Sequence, residues 1–171
     1  MLSKKVEDIL NSQIEKECFS SHLYLYMATW AETNGLEGVS KWLYAQSNEE
    51  RIHMLKFISY INERGGVAKI GAIKNPASKF KTVKELFTAV LNHEQFISKS
   101  INEIVGICAT ERDFTTQNWV QWFVNEQIEE EKNVRIILDK LKLLGNNNMY
   151  LLDRDIMSLR TAGADSTAAA E

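Results

Sequence analysis

The sequence predicts an all-α protein: a four-helix bundle with a long crossover between helices two and three, and a short fifth helix at its C-terminal end. Three observations carry this. The 171 residues include one proline and eight glycines against 44% hydrophobic residues, a composition that favours long helices over sheet. Four stretches repeat apolar residues at alternating steps of three and four, the seam a helix turns into a bundle. The one long break between these stretches falls in the middle, where it can cross the whole bundle. At this length the chain suits one domain with a sizeable core.

Composition excludes several function classes. The formal charge is −3, and the basic residues are scattered rather than clustered, so no nucleic-acid partner is expected. No segment approaches the ~20 apolar residues of a membrane span, and no membrane association is expected. The opening MLSKKVEDILNSQIEKE carries acids and lacks the apolar run of a signal peptide. Cys18 and Cys108 form neither a metal motif nor a disulfide framework, and both fall inside helical patterns. Buried free thiols in a reducing, cytoplasmic compartment are expected.

The first helix is predicted from Ser3, as N-cap, to about Thr33, before Asn34-Gly35. Its seam reads Val6, Leu10, Gln13, Glu17, Ser20, Tyr24, Met27, Ala31, and Glu17 breaks the apolar run. The later half, HLYLYMATWAE, is apolar nearly all round. Leu23, Leu25, Tyr26 and Trp30 cannot all face one core, which predicts a subunit interface. A short turn, Asn34 to Gly38, makes the second helix antiparallel to the first. Its seam is Val39, Leu43, Gln46, Glu50, His53, Phe57, Tyr60, ending near Gly65-Gly66. Glu50 and His53 are three residues apart, hence roughly 60° apart on one helix face. A carboxylate and an imidazole thus sit where hydrophobes belong.

Val67 to Lys81 contains Pro76 and no helical period. Extended, it reaches roughly 50 Å, the length of a helix of about 28 residues at ~1.5 Å each. Helices two and three should therefore be parallel. The third helix starts at Thr82, with Glu85 at the capping-box position. Its seam is Val83, Phe87, Val90, Glu94, Ile97, Ile101, Ile104, Cys108, with Glu94 its one ionisable member. After a polar turn at Arg112 and Asp113, the fourth seam reads Val120, Phe123, Gln127, Glu130, Val134, Ile137, Leu141, Leu144. Gly145 and three asparagines stop it. Met149 to Leu159 is an amphipathic fifth helix whose apolar side has no obvious place in a four-helix seam, so it too is expected between subunits. The tail from Thr161 is small and polar, and is expected to be mobile.

The four seams carry Glu17, Glu50 with His53, Glu94, and Gln127 with Glu130, each near its helix midpoint. Bundle packing brings them to one level. A buried polar layer can fix register, as single seam asparagines do. Four carboxylates in one layer, however, repel each other and each lose several kcal/mol of hydration, and no seam lysine or arginine balances them. Divalent cations can, and hard carboxylates with one imidazole suit iron or manganese better than zinc. This is the layout of di-iron carboxylate bundles. Two other classes share it: an oxygenase or reductase with an organic substrate, which needs an apolar pocket beside the metals, and a purely structural bundle.

On Glu17 with Tyr24, Glu49-Glu50-x-x-His53, Glu94, and Glu126-Gln127-x-Glu129-Glu130, the chain resembles the bacterial non-haem ferritins. The resemblance covers about residues 1–160, a ferritin-like di-iron domain, and leaves 161–171 as a flexible polar tail. It implies iron storage with ferroxidase activity. One iron would be held by Glu17, Glu50 and His53, and a second by Glu94 and Glu130, with Glu50 bridging. Tyr24 and Gln127 would support these ligands, Tyr24 also as an electron donor. It further implies Fe(II) with dioxygen or hydrogen peroxide as reactants, and a hollow shell of twenty-four copies holding a ferric mineral. Helix four lacks a second Glu-x-x-His and Arg51 follows Glu50, so no haem is expected; a Cys-x-x-Cys module is also missing. The stretch Thr116 to Gln121, TQNWVQ, has no acids with which to line a three-fold pore.

A third iron position is also expected. Glu49, Glu126 and Glu129 each precede a seam residue and are turned roughly 100° from it, to the same rotational side. If helices two and four are neighbours, the three converge beside the paired site and share Glu130; in the resembling family these positions bind an additional iron. His22 and His93 lie off the seams and read as surface or interface residues. Trp119 and Trp122 read as packing residues, and Glu131 as solvated.

Overall fold

A computed structural model describes residues 2–76, 79–145 and 148–160; the expected tail, 161–171, lies outside them. The helices are α1 (Lys4–Thr33), α2 (Glu37–Glu63), α3 (Val83–Glu111), α4 (Phe114–Leu144) and α5 (Met149–Asp155), the last continued by a 3-10 turn, Ile156–Leu159. No strand occurs among the described residues.

Local chemistry places most boundaries. Ser3 Oγ accepts from Val6 N at 3.3 Å, and Thr82 Oγ1 from Glu85 N at 3.1 Å. Glu85 reaches back to Lys81 N at 2.8 Å, one residue earlier than a capping box. Asp113 caps α4, accepting from Thr116 N at 3.0 Å. Helix α2 has no side-chain cap of its own, because its N-cap residue is Leu36. Asp153 of α5 supplies one instead, its Oδ1 accepting from Val39 N at 2.9 Å.

Helix α1 runs antiparallel to α2, with Ser21 bonded to Ser47 and Tyr44 to Glu32. Helix α2 runs antiparallel to α4, with His53 against Trp122 and Arg64 paired to Asp113. Helices α2 and α3 are therefore parallel, as the long crossover required. Asn11 clasps that crossover to α1: its Nδ2 donates to Val67 O at 3.1 Å and its Oδ1 accepts from Lys69 N at 2.7 Å.

Every seam residue expected from the sequence is buried except Leu144, which is half-buried. The apolar core is split in two. One half gathers Met27, Trp42, Phe87 and Ile137; the other gathers Leu10, Phe57, Ile101 and Phe123. Between them lies the belt of Gln13, Glu17, Gln46, Glu50, His53, Glu94, Gln127 and Glu130.

Three expectations are corrected. Leu23 is buried within its own bundle, and Trp30 packs edge-on against Phe80 at 6.0 Å, so only Leu25 and Tyr26 of the expected girdle remain exposed. Leu152 and Ile156 enter the subunit's own core rather than an interface, because α5 packs against α2 and α4. Cys108 is buried but Cys18 is only half-buried; both are free thiols.

Candidate metal centre

Glu17, Glu50, His53, Glu94 and Glu130 come from four helices and are between 1% and 4% exposed. Ligand atoms of Glu17, Glu50 and His53 lie within 4.8 Å of one another. His53 Nδ1 is 3.8 Å from Glu50 Oε2. Glu94 and Glu130 fall outside that group, and Glu94 is held by its own surroundings. Tyr24 donates its hydroxyl to Glu94 Oε1, while Gln127 Nε2 donates to Glu94 Oε2 at 3.0 Å and to its carbonyl at 3.2 Å. Gln13 donates to Glu17 Oε1 at 2.7 Å and accepts from Ser100 at 2.8 Å. Oε2 of Glu17 is buried with no hydrogen-bond partner.

The electrostatics follow from burial. Loss of hydration lifts the carboxyls of Glu17, Glu50 and Glu130 above their ordinary range, and the charge of Glu94 pushes Glu50 and Glu130 further. Burial lifts Glu94 itself to about 7. Burial also drives His53 down to about 3, so its ring is neutral and keeps a lone pair for a ligand. Tyr24 is held well above 10, first by burial and then by Glu94 and Glu50, and stays a donor. No lysine or arginine is buried among the described residues. Four buried carboxylates with an orphaned oxygen, no buried cation and a neutral imidazole form a donor set suited to hard divalent metal ions.

A second group lies against the first. Ligand atoms of Glu49, His53 and Glu126 lie within 4.8 Å of one another, so His53 belongs to both groups. Glu126 is lifted to about 7, by burial first and then by the charges of Glu49 and Glu129. Glu129 lies outside this group although its charge acts on Glu126.

Other residues differ from expectation. His93 is half-buried and engaged within the bundle: its Nε2 lies 2.7 Å from Ser20 Oγ, and its ring meets Tyr24 edge-on at 5.9 Å. Glu131 is not simply solvated. Its Oε1 accepts from Ser98 at 2.6 Å, it pairs with Arg135, and its charge acts on Glu94. Trp122 packs edge-on against His53 at 5.4 Å, and Lys56 Nζ lies 3.2 Å from the centre of the Trp122 ring. Lys56 and Arg160, which pairs with Glu49, had no signal in the sequence: the one is an off-seam lysine, the other stands beyond the bundle's own helices.

Residues 7–144 match the ferritin-like domain of the Ferritin family. The chain is 43% identical over 163 residues to a probable bacterial non-heme ferritin-like protein of Haemophilus influenzae, covering 94% of this chain and 99% of that one. It is 42% identical over 161 residues to the bacterial non-heme ferritin of Campylobacter jejuni, with 93% and 96% covered. The fold superposes on an engineered closed form of the Archaeoglobus fulgidus ferritin with a TM-score of 0.89 at 37% identity, covering 91% of this chain and 96% of that one. The fold, the carboxylate belt and these relatives agree: the chain belongs to the ferritin family of iron-storage proteins.

Proposed function

We propose that the protein is a ferroxidase as well as a store: it binds two Fe(II) ions in the carboxylate belt, oxidises them, and passes the ferric product to a mineral inside a hollow homo-oligomeric shell. The observation that carries this reading is the belt itself, four buried carboxylates and one neutral imidazole with no buried lysine or arginine among the described residues to balance them. Glu17, Glu50 and His53 would hold one ion, Glu94 and Glu130 the second, with Glu50 bridging. Glu49, Glu126 and Glu129 would hold a third beside them. Fe(II) is the substrate. Two ions give one electron each to dioxygen, which takes up two protons and leaves as hydrogen peroxide; peroxide itself can serve as the oxidant in its place.

The protein's own part is to fix the ligands before the metal arrives. Gln127 and Tyr24 hold the two oxygens of Glu94 from opposite sides, and Gln13 orients Glu17. The shell would hold twenty-four copies in the cytoplasm, without haem. An oxygenase acting on an organic substrate is less well supported. The cleft that reaches Gln127, lined also by Ser98, Ile101 and Glu131, holds about 140 Å³. Pockets for organic ligands are typically about 300–1,000 Å³.

The test is an anaerobic Fe(II) titration followed by oxygen. Wild type is expected to oxidise the first two equivalents per subunit rapidly. Glu50→Ala should fold but lose that phase, by roughly 100-fold or more, because the bridging ligand is gone. Replacing Glu49, Glu126 and Glu129 by Ala should keep the fast phase and change the iron-to-oxygen ratio. Wild-type rates in Glu50→Ala would end the assignment.

A further inference from the structure

Glu49 already holds a cation, one that belongs to the chain. Helix α5 is docked by the buried side chains of Leu152 and Ile156 and by the cap that Asp153 places on α2. The turn that follows ends at Arg160. Its Nη2 lies 2.5 Å from Glu49 Oε2, and its Nη1 lies 3.4 Å from Gln46 Oε1 and 3.5 Å from Trp42 O. The guanidinium carbon is 5.9 Å from the centre of the Trp42 ring. Both partners of the ion pair are largely shielded, with side chains 18% and 20% exposed. The carboxylate so occupied is the one whose ligand atom lies within 4.8 Å of those of His53 and Glu126.

A dication at that point needs a lone pair of Glu49 and cannot share close quarters with a guanidinium, which is always charged and rigidly planar. Neutralising Glu49 and binding metal through it are therefore competing uses of one carboxylate. Lys56 faces the same acids, but it is anchored over the Trp122 ring and its charge acts on Glu49 and Glu126 without a direct pair. Arg160 makes the direct pair, and its long side chain can swing away to water.

We propose that Arg160 is a tethered counter-ion of the flanking carboxylate site: it neutralises Glu49 while the site is free of metal, and a divalent cation binds there by displacing its guanidinium. The inference rests on the flanking-site reading above. Arg160 then acts as a positioning and affinity-setting residue. It keeps the flanking position weaker than the paired site without touching the paired ligands.

The test is calorimetric titration of the assembled metal-free protein with Zn(II), which cannot be oxidised. Arg160→Gln is expected to tighten the flanking equivalent about tenfold and leave the two tight equivalents unchanged. Arg160→Lys keeps the charge and should bind like wild type. Glu49→Gln should weaken the flanking equivalent, and adding Arg160→Gln to it should then change nothing further. Equal flanking affinity in wild type and Arg160→Gln overturns the inference and leaves the flanking site standing. A gain in Arg160→Lys as large as in Arg160→Gln also overturns it, since packing and not charge would then be responsible. If no third equivalent binds in any variant, the flanking-site reading itself falls.

Discussion

At Glu94 the requirements of folding and of metal binding oppose each other. Its carboxyl is buried between Tyr24 and Gln127, and burial raises it from 4.5 to about 7. A folded-state value above the unfolded one means that the native protein binds the proton more tightly. The resulting stability is complete below about pH 4.5 and is lost as pH rises through about 7. Glu17, Glu50 and Glu130 shift the same way for the same first cause, loss of hydration. The metal-free protein is therefore expected to melt at a lower temperature at about pH 8 than at about pH 6.5, a window that lies above the range in which His53, shifted in the opposite sense by burial, loses stability. Zn(II) should reverse the trend, because metal competes with the protons and gains as they leave. Scanning calorimetry of both forms checks this; a metal-free melting temperature that climbs across the window would refute it. At this scale the buried Glu17, Glu50, His53, Glu94 and Glu130 are legible in the sequence because each interrupts an apolar seam. Arg160 and His93 are not, since an off-seam residue has no pattern to break.

At the scale of the element, α5 and α2 are locked together. Asp153 caps α2 from 114 residues away, and Gly38 makes the approach possible. A Cβ on Gly38 would lie 1.7 Å from the Asp153 carbonyl oxygen, a backbone atom that can yield only if α5 moves. Asp153→Ala is expected to cost about 1 kcal/mol, the usual loss for an N-cap. Gly38→Ala should cost more and expose the C-terminal segment to proteolysis while leaving α1 to α4 helical. Thermal melts with limited digestion distinguish the two variants. A Gly38→Ala protein with wild-type stability and protection would show that α5 is not docked this way. The caps at Ser3 and Thr82 are readable because donor and acceptor are three residues apart. The cap on α2 is unreadable because its two halves meet only after the bundle has formed.

At the scale of the whole molecule, the exposed apolar surface bears on assembly. Leu25 and Tyr26 are 43% and 37% exposed on α1, and Ile128 on α4 is 65% exposed. Their burial between copies is what the proposed shell needs. Light scattering at micromolar concentration should find one large particle, and Leu25→Glu should yield smaller species with unchanged helix content. A stable wild-type monomer would refute the shell. A girdle of four residues on α1 is too generous: the sequence shows that a helix is apolar all round, but not how much of it its own neighbours cover. Trp30 illustrates this, since its cover is Phe80, at the end of the crossover.

Sequence alone was enough for the helices, their seams, the parallel pairing across the long crossover and the burial of five ionisable seam residues. Each of these follows from the period of an α-helix or from the reach of an extended chain, and both are local properties. The rest came only with the packed bundle: which oxygen of Glu94 each neighbour holds, that His53 faces two carboxylate groups, that α5 caps α2, and that Arg160 closes on Glu49. These contacts join residues far apart in the chain. Their distances depend on how the helices rotate and slide against one another, and no local pattern encodes that.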